Sequence, residues 1–203
     1  MIDIVKDIKV LVPNTSYSDE EIARIVDMVF DEIQAEVKPF KSAFKVTLYK
    51  DTDEYDLNEI VEAQANLANE NLHLLEITHI SDPLGLGARL VNNVLAQVVP
   101  KKDGDYIIAF ANLVFDSFDA IPRNDKFKMR HAIIYGATSK IVEALGQQDQ
   151  EQYANLLYQR FYNAKKKLAQ MEPQFLDFSM HIDSWQFDNK EIYFDGRLTD
   201  VES

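Results

Sequence analysis

The spacing of apolar residues changes twice along this chain, and the changes limit what it can fold into. Between residues 19 and 37, Ile22, Ile25, Val26, Val29, Phe30 and Ile33 form one stripe of helical period. At Phe44, Val46 and Leu48 the period becomes two, with Lys45, Thr47 and Tyr49 between them, which is the pattern of a half-buried strand. Helical spacing returns at Phe127, Met129, Ala132, Ile133, Ala137, Ile141 and Leu145. A second helical stripe follows at Tyr153, Leu156, Leu157, Phe161, Ala164 and Leu168. Helical segments on either side of a strand-rich stretch predict an α+β fold.

Punctuation places the boundaries. Ile2, Ile4, Val5, Ile8 and Leu11 predict a short first helix, stopped by Pro13 to Ser16. Ser18 followed by Glu21 is a capping box, so the next helix starts at Asp19 and ends before Pro39. In the middle, Asp51 to Asp56 reads as a polar turn, and 57–71 is ambiguous with a short helix possible. Leu72 to Ile80 reads as a strand, Leu84 to Gly87 as a turn, and Arg89 to Val99 as helix or strand. Lys101 to Gly104 reads as a hairpin-type turn before a buried strand at Tyr106 to Val114. Asp119 to Pro122 leads into the third long helix. Gly146 caps it, Asp149 can begin the next and Pro173 closes that one. The short connection predicts an antiparallel αα-hairpin. The expectation is one domain over 1–203. It has a helical body (1–40 and 119–172, an antiparallel bundle), a β-rich insertion (44–115) and an extended C-terminal arm (174–203).

Composition excludes several classes. Of 203 residues, 46% are hydrophobic and 27% charged, which argues against a wholly disordered chain. There is no Cys, hence no disulfide, thiolate metal site or Cys nucleophile. The formal charge of -13 disfavours broad adhesion to DNA or anionic lipid. Asp3, Lys6, Asp7 and Lys9 break up the first apolar stretch, unlike a signal peptide, and no run is long enough to span a bilayer. A soluble protein that stays where it is made is expected. The charge is uneven. Lys126 to Gln170 has eight bases against three acids, a balance of +5, and Glu172 to Ser203 has two bases against eight acids, a balance of -6.

Motifs for chemistry are sparse. His73 and His79 would share one face of a straight strand, but no third metal ligand is evident, and the other histidines, His131 and His181, join no cluster. Gly85 and Gly87 form half of a dinucleotide loop whose last Gly is missing, so a turn is the better reading. Asp51, Asp53, Glu54 and Asp56 are acidic, but Asp56 holds the position an EF-hand loop needs as Gly. Lys165, Lys166 and Lys167 sit where cations complement a helix C-terminus. No catalytic, cofactor or metal site is expected, and the chain reads as a non-enzyme. The acidic tail carries Trp185, Phe187, Tyr193 and Phe194, which suit either two further strands or an arm that docks on another chain.

Three segments and a helix carry a family resemblance. They are Tyr17-Ser18-Asp19-Glu20-Glu21-Ile22, Asp119-Ala120-Ile121-Pro122 and His131-Ala132-Ile133-Ile134-Tyr135-Gly136-Ala137. The last helix follows with Tyr153, Tyr158, Phe161 and Ala164. In this order they resemble the head-to-tail adaptor (connector) proteins of tailed bacteriophages. The resemblance implies a virion structural protein. It would be made in the host cytoplasm and assemble as a homo-oligomeric ring, usually a dodecamer, in the neck between capsid and tail. Its partners would be further copies of itself, the portal protein and tail proteins. DNA would pass through without specific binding, and no membrane would be involved. Phe127, Arg130, Tyr153, Arg160, Phe161, Trp185, Phe187, Tyr193 and Phe194 are the residues expected to carry assembly. The alternative is a non-viral α+β binding domain that recognises a peptide or small ligand through its β-rich region.

Overall fold

A computed structural model describes residues 4–146, 151–170 and 174–175. The elements in chain order are α1 (Ile4–Leu11), α2 (Asp19–Val37), β1 (Phe40–Thr47), β2 (Glu54–Asp56), α3 (Leu57–Ala68), β3 (Leu72–Ser81), β4 (Arg89–Val91), β5 (Leu95–Gln97), β6 (Tyr106–Phe115), α4 (Arg123–Leu145), α5 (Glu151–Gln170) and β7 (Gln174–Phe175). The fold is α+β. The chain divides into two compact units, one of Met1–Lys38 with Phe115–Met171, the other of Pro39–Val114 with Glu172–Ser203.

The first unit is helical. The capping box at Ser18 forms as its residue types dictate. The Glu21 amide donates to Ser18 Oγ at 3.3 Å, and the Ser18 amide donates to Glu21 Oε2 at 2.8 Å. α2 ends at Lys38, which turns left-handed (φ 51°) before Pro39. Its stripe of Ile22, Val26, Val29, Phe30 and Ile33 is buried, and Phe30 meets Phe118 edge-to-face at 5.7 Å. Gln34 is buried among them and answers a backbone need. Its Nε2 donates to the Phe115 carbonyl at 3.0 Å, and its Oε1 accepts from the Phe115 amide at 2.7 Å.

α4 packs against α1, α2 and α5. It therefore buries residues well beyond one stripe, including Ala132, Ile133, Gly136, Ala137, Thr138 and Ile141. α5 buries Leu157, Phe161 and Leu168 and packs along α4 as a hairpin, as the sequence predicts. Gly146 caps α4 with φ 61°.

The second unit is β-rich. Its first sheet runs in the order β3-β6-β1-β7. β1 pairs antiparallel with β6 from Phe40 opposite Leu113 to Thr47 opposite Tyr106. β7 joins β1 in parallel, with Gln174 beside Phe40 and Phe175 beside Lys41. α3 packs on β3 and β1 through Leu57, Val61 and Ala65, and Asp56 caps its start by accepting from the Asn58 and Glu59 amides. The second sheet, β2-β5-β4, is antiparallel and short.

Three expectations change. β1 begins at Phe40, four residues early, because Ser42 fills a buried position on its inner face. The polar turn at 51–56 contains a strand, β2, held by Tyr55, whose hydroxyl donates to the Tyr49 and Thr52 carbonyls at 3.1 Å each. Lys101 to Gly104 is a turn but not a hairpin. β5 before it pairs with β2 and β4, and β6 after it pairs with β1. The turn passes the chain between sheets, closed by Asp105 Oδ2, which accepts from the Lys101 and Lys102 amides. The C-terminal arm lies outside the described residues except for the backbone of β7.

Candidate functional site

Candidate chemistry in the β-rich unit resolves into structural contacts. His73 and His79 lie on β3 but serve different partners. His73 Nδ1 is 2.8 Å from Glu62 Oε1. The His79 ring stacks on Phe110 at 4.3 Å and 6°, and burial, with Lys41 nearby, lowers its pKa. Glu54 accepts from Gln97, which in turn accepts from Arg89, so that acidic stretch feeds a cross-strand ladder. The Gly85 and Gly87 turn is built around Asp82. Its carboxylate accepts from the Leu86 and Ala88 amides at 3.0 Å each, and both glycines take positive φ. Among the described residues, no group of three or more His, Asp and Glu side chains could hold a metal ion. No helix among them is long and apolar enough to cross a membrane.

The α4–α5 hairpin presents a different chemistry. Five of its eight cations already have carboxylate partners within the helical unit. Lys126 meets Asp119 at 3.2 Å, Lys128 meets Asp125 at 3.8 Å, and Arg130 meets Asp7 at 2.6 Å. Lys140 meets Glu32 at 3.2 Å, and Lys165 meets Glu32 at 3.1 Å and Glu36 at 2.7 Å. Burial alone would raise Glu32, but hydrogen bonds from Lys165 and Lys140 outweigh it and hold the carboxyl below its ordinary value. Burial would lower Lys165, and its two glutamates reverse that and raise it. Lys165 therefore ties α5 to α2, beyond the dipole role that its place near a helix end suggests.

Two of the other three cations, Arg160 and Lys167, line a groove of about 390 Å³ between α4 and α5. Ala132 and Ala164 line it, and their short side chains leave its space open. Lys128, His131, Tyr135, Arg160, Asn163 and Lys167 line it as well. These positions recur at three to four residues on each helix, so both helices turn one face to the groove. The Arg160 guanidinium lies 5.7 Å from the Tyr135 ring centroid, and Tyr135 stacks near His131 at 6.2 Å. No carboxylate lines the groove among the described residues.

The residues nominated for assembly separate on this frame. Arg160 lines the groove. Phe127 is half exposed beneath Arg123 at 5.7 Å. Tyr153 is half-buried on α5. Arg130 is engaged with Asp7 through Nε and Nη2. Phe161 is buried against Gly136, inside its own unit. Trp185, Phe187, Tyr193 and Phe194 lie outside the described residues. Tyr158, named in the sequence only for the resemblance, and Tyr162 were not among the residues expected to carry assembly, although they expose large rings on α5. Their four-residue spacing on the polar side of the α5 stripe is the signal that could have found them.

No protein-family model matches the chain, and no curated protein matches it significantly.

Proposed function

We propose that this chain is a virion structural protein of tailed-phage adaptor type, forming a homo-oligomeric ring that joins the portal to the tail. In this reading α1, α2, α4 and α5 form the antiparallel bundle of the ring body. The β-rich unit is an insertion that meets tail components, and the segment from residue 174 onward supplies the arm. The mechanism is burial of surface between subunits rather than catalysis.

The observation that carries the reading is the cation-lined, acid-free groove on the hairpin of a chain whose formal charge is -13. Its opposite lies on the same chain, since Glu172 to Ser203 balances at -6 and carries Trp185, Phe187, Tyr193 and Phe194. Complementary surfaces of this kind favour self-assembly and fix its register. Exposed Leu156, Tyr158 and Tyr162 add apolar area on α5. The segments that carry the resemblance lie at the capped start of α2 (17–22), at the entry to α4 (119–122) and within α4 (131–137).

Co-sedimentation of the full chain with its portal tests the reading. The intact chain is expected to travel with the portal, and removal of residues 174–203 is expected to release it. Unchanged co-sedimentation of the shortened chain would remove the arm from the mechanism.

A further inference from the structure

We propose that the groove between α4 and α5 binds a short chain of phosphoryl groups, as free tripolyphosphate or as the phosphate chain of a nucleotide. Its volume of about 390 Å³ falls within the range of small-molecule sites, about 300–1,000 Å³. Three contacts set the register of the two helices. Ser139 Oγ donates to the Ala154 carbonyl at 3.2 Å, Gly136 faces Phe161, and the Arg160 guanidinium lies 5.7 Å from the Tyr135 ring centroid. They descend α4 as they ascend α5, so the helices run antiparallel. Seven residues back from Tyr135 and seven on from Arg160, Lys128 stands level with Lys167, and both line the groove. The groove therefore has Arg160 at one level and two facing lysines at another. The two levels lie about 10 Å apart along the helices, at a rise of about 1.5 Å per residue. Between them stand Ala132 and Ala164, too short to fill the space.

The lining is made of donors. Lys and Arg cannot accept a hydrogen bond, and the Asn163 amide and Tyr135 hydroxyl can both donate. Among the described residues, Arg160 and Lys167 have no carboxylate partner. Lys128 reaches Asp125 at 3.8 Å, beyond hydrogen-bond length. Two lysines at one level repel each other, and an anion between them reverses that. A carboxylate brings one charge and two oxygens. A phosphoryl group brings about two charges and three strong acceptor oxygens, and an Arg guanidinium matches it with two parallel N–H bonds. A chain of such groups places charge at both levels of the groove at once. The chain as a whole carries -13, so a polyanion is held here by these local cations against the overall field. The binding needs neither a ring nor a portal, and so goes beyond the proposed function.

Titration calorimetry of the full chain with sodium tripolyphosphate, free of divalent cations and portal, tests the proposal. One tripolyphosphate per chain is expected to bind. Lys128→Gln and Lys167→Gln are each expected to weaken binding at least about tenfold, as loss of a charged hydrogen bond does. Lys166→Gln makes the same charge change one residue away, outside the groove lining, and is expected to bind like the parent. All three lysines are exposed, so the variants are expected to melt with the parent in the absence of ligand. ATP distinguishes the two sources. Binding at least tenfold tighter than tripolyphosphate assigns the groove to a nucleotide, equal binding assigns it to the bare phosphate chain, and either supports the proposal. No binding of tripolyphosphate would overturn it. So would an equal loss in Lys166→Gln, which would reduce the effect to general charge. A hexaglutamate peptide that binds as tightly as tripolyphosphate would overturn it too, since carboxylates would then suffice. Co-sedimentation with the portal reads the assembly proposal separately.

Discussion

Lys165 Nζ stands 3.1 Å from Glu32 Oε1, joining α5 to α2 across 133 positions of sequence. The Lys165 side chain is 13% exposed and that of Glu32 is 28% exposed, so the pair is shielded more than a surface ion pair. Lys165→Met is expected to cost about 1–2 kcal/mol, between an exposed pair and a charged hydrogen bond. Urea unfolding at neutral pH measures it. The Glu32 carboxyl is lowered from 4.5 by its cation partners, despite the burial that opposes them. Its contribution is therefore complete above pH 4.5 and is lost as pH falls through the lowered folded value. The gap between parent and variant should narrow on that acid limb.

Gly136 of α4 faces Val29 of α2 and Phe161 of α5 at close range. A Cβ there would stand 2.7 Å from Val29 Cγ1 and 3.0 Å from two carbons of the Phe161 ring. Alanine would gain about 1 kcal/mol of helix propensity, but overpacking a filled core costs typically about 1–3 kcal/mol. Gly136→Ala is expected to lose stability on balance, and Gly136→Val to lose more. A thermal melt that rises for the alanine variant would show that α2 and α5 can yield at this point.

The Gln34 amide satisfies both backbone groups of Phe115 in a buried setting. Gln34→Leu fills similar space yet orphans a donor and an acceptor. Unsatisfied buried groups cost about 1–3 kcal/mol each, so denaturant unfolding should show a loss of at least about 2 kcal/mol. Gln34→Glu is expected to fare little better, because a carboxylate cannot donate to the Phe115 carbonyl.

Asp82 organises the loop that precedes β4. Burial tends to raise its pKa, but amide hydrogen bonds from Leu86, Ala88, Gly87 and Leu84 outweigh it and lower the value below 3.8. Asp82→Ala is expected to cost about 1–3 kcal/mol and to speed amide exchange at Leu86 and Ala88. The carboxylate contribution is present above pH 3.8 and fades as pH falls through the lowered value. The variant should thus differ least from the parent in acid.

Local patterns carried much of this fold into the sequence. The capping box at Ser18 and Glu21 places the start of α2 to the residue, and Gly146 marks the end of α4, because caps are contacts between near neighbours. Elements defined by distant partners were hidden. β2 is three residues of an acidic stretch, and only its pairing with β5 makes it a strand. Ser42 blurred the start of β1 because a small polar residue sits where the alternation calls for an apolar one. The site was legible as a cationic hairpin. Its partition was not, since Asp7, Glu32 and Glu36 reach Arg130, Lys140 and Lys165 from segments more than a hundred residues away. Phe161 read as a contact residue because an aromatic on a stripe looks alike whether it faces its own core or a neighbour.

Ring assembly against the portal is the central claim. Electron-microscopy class averages of the full chain mixed with its portal test it most directly. The account predicts a closed ring of copies seated coaxially against the portal, with density added at its rim. Portal particles without added density, beside separate single subunits, would contradict it.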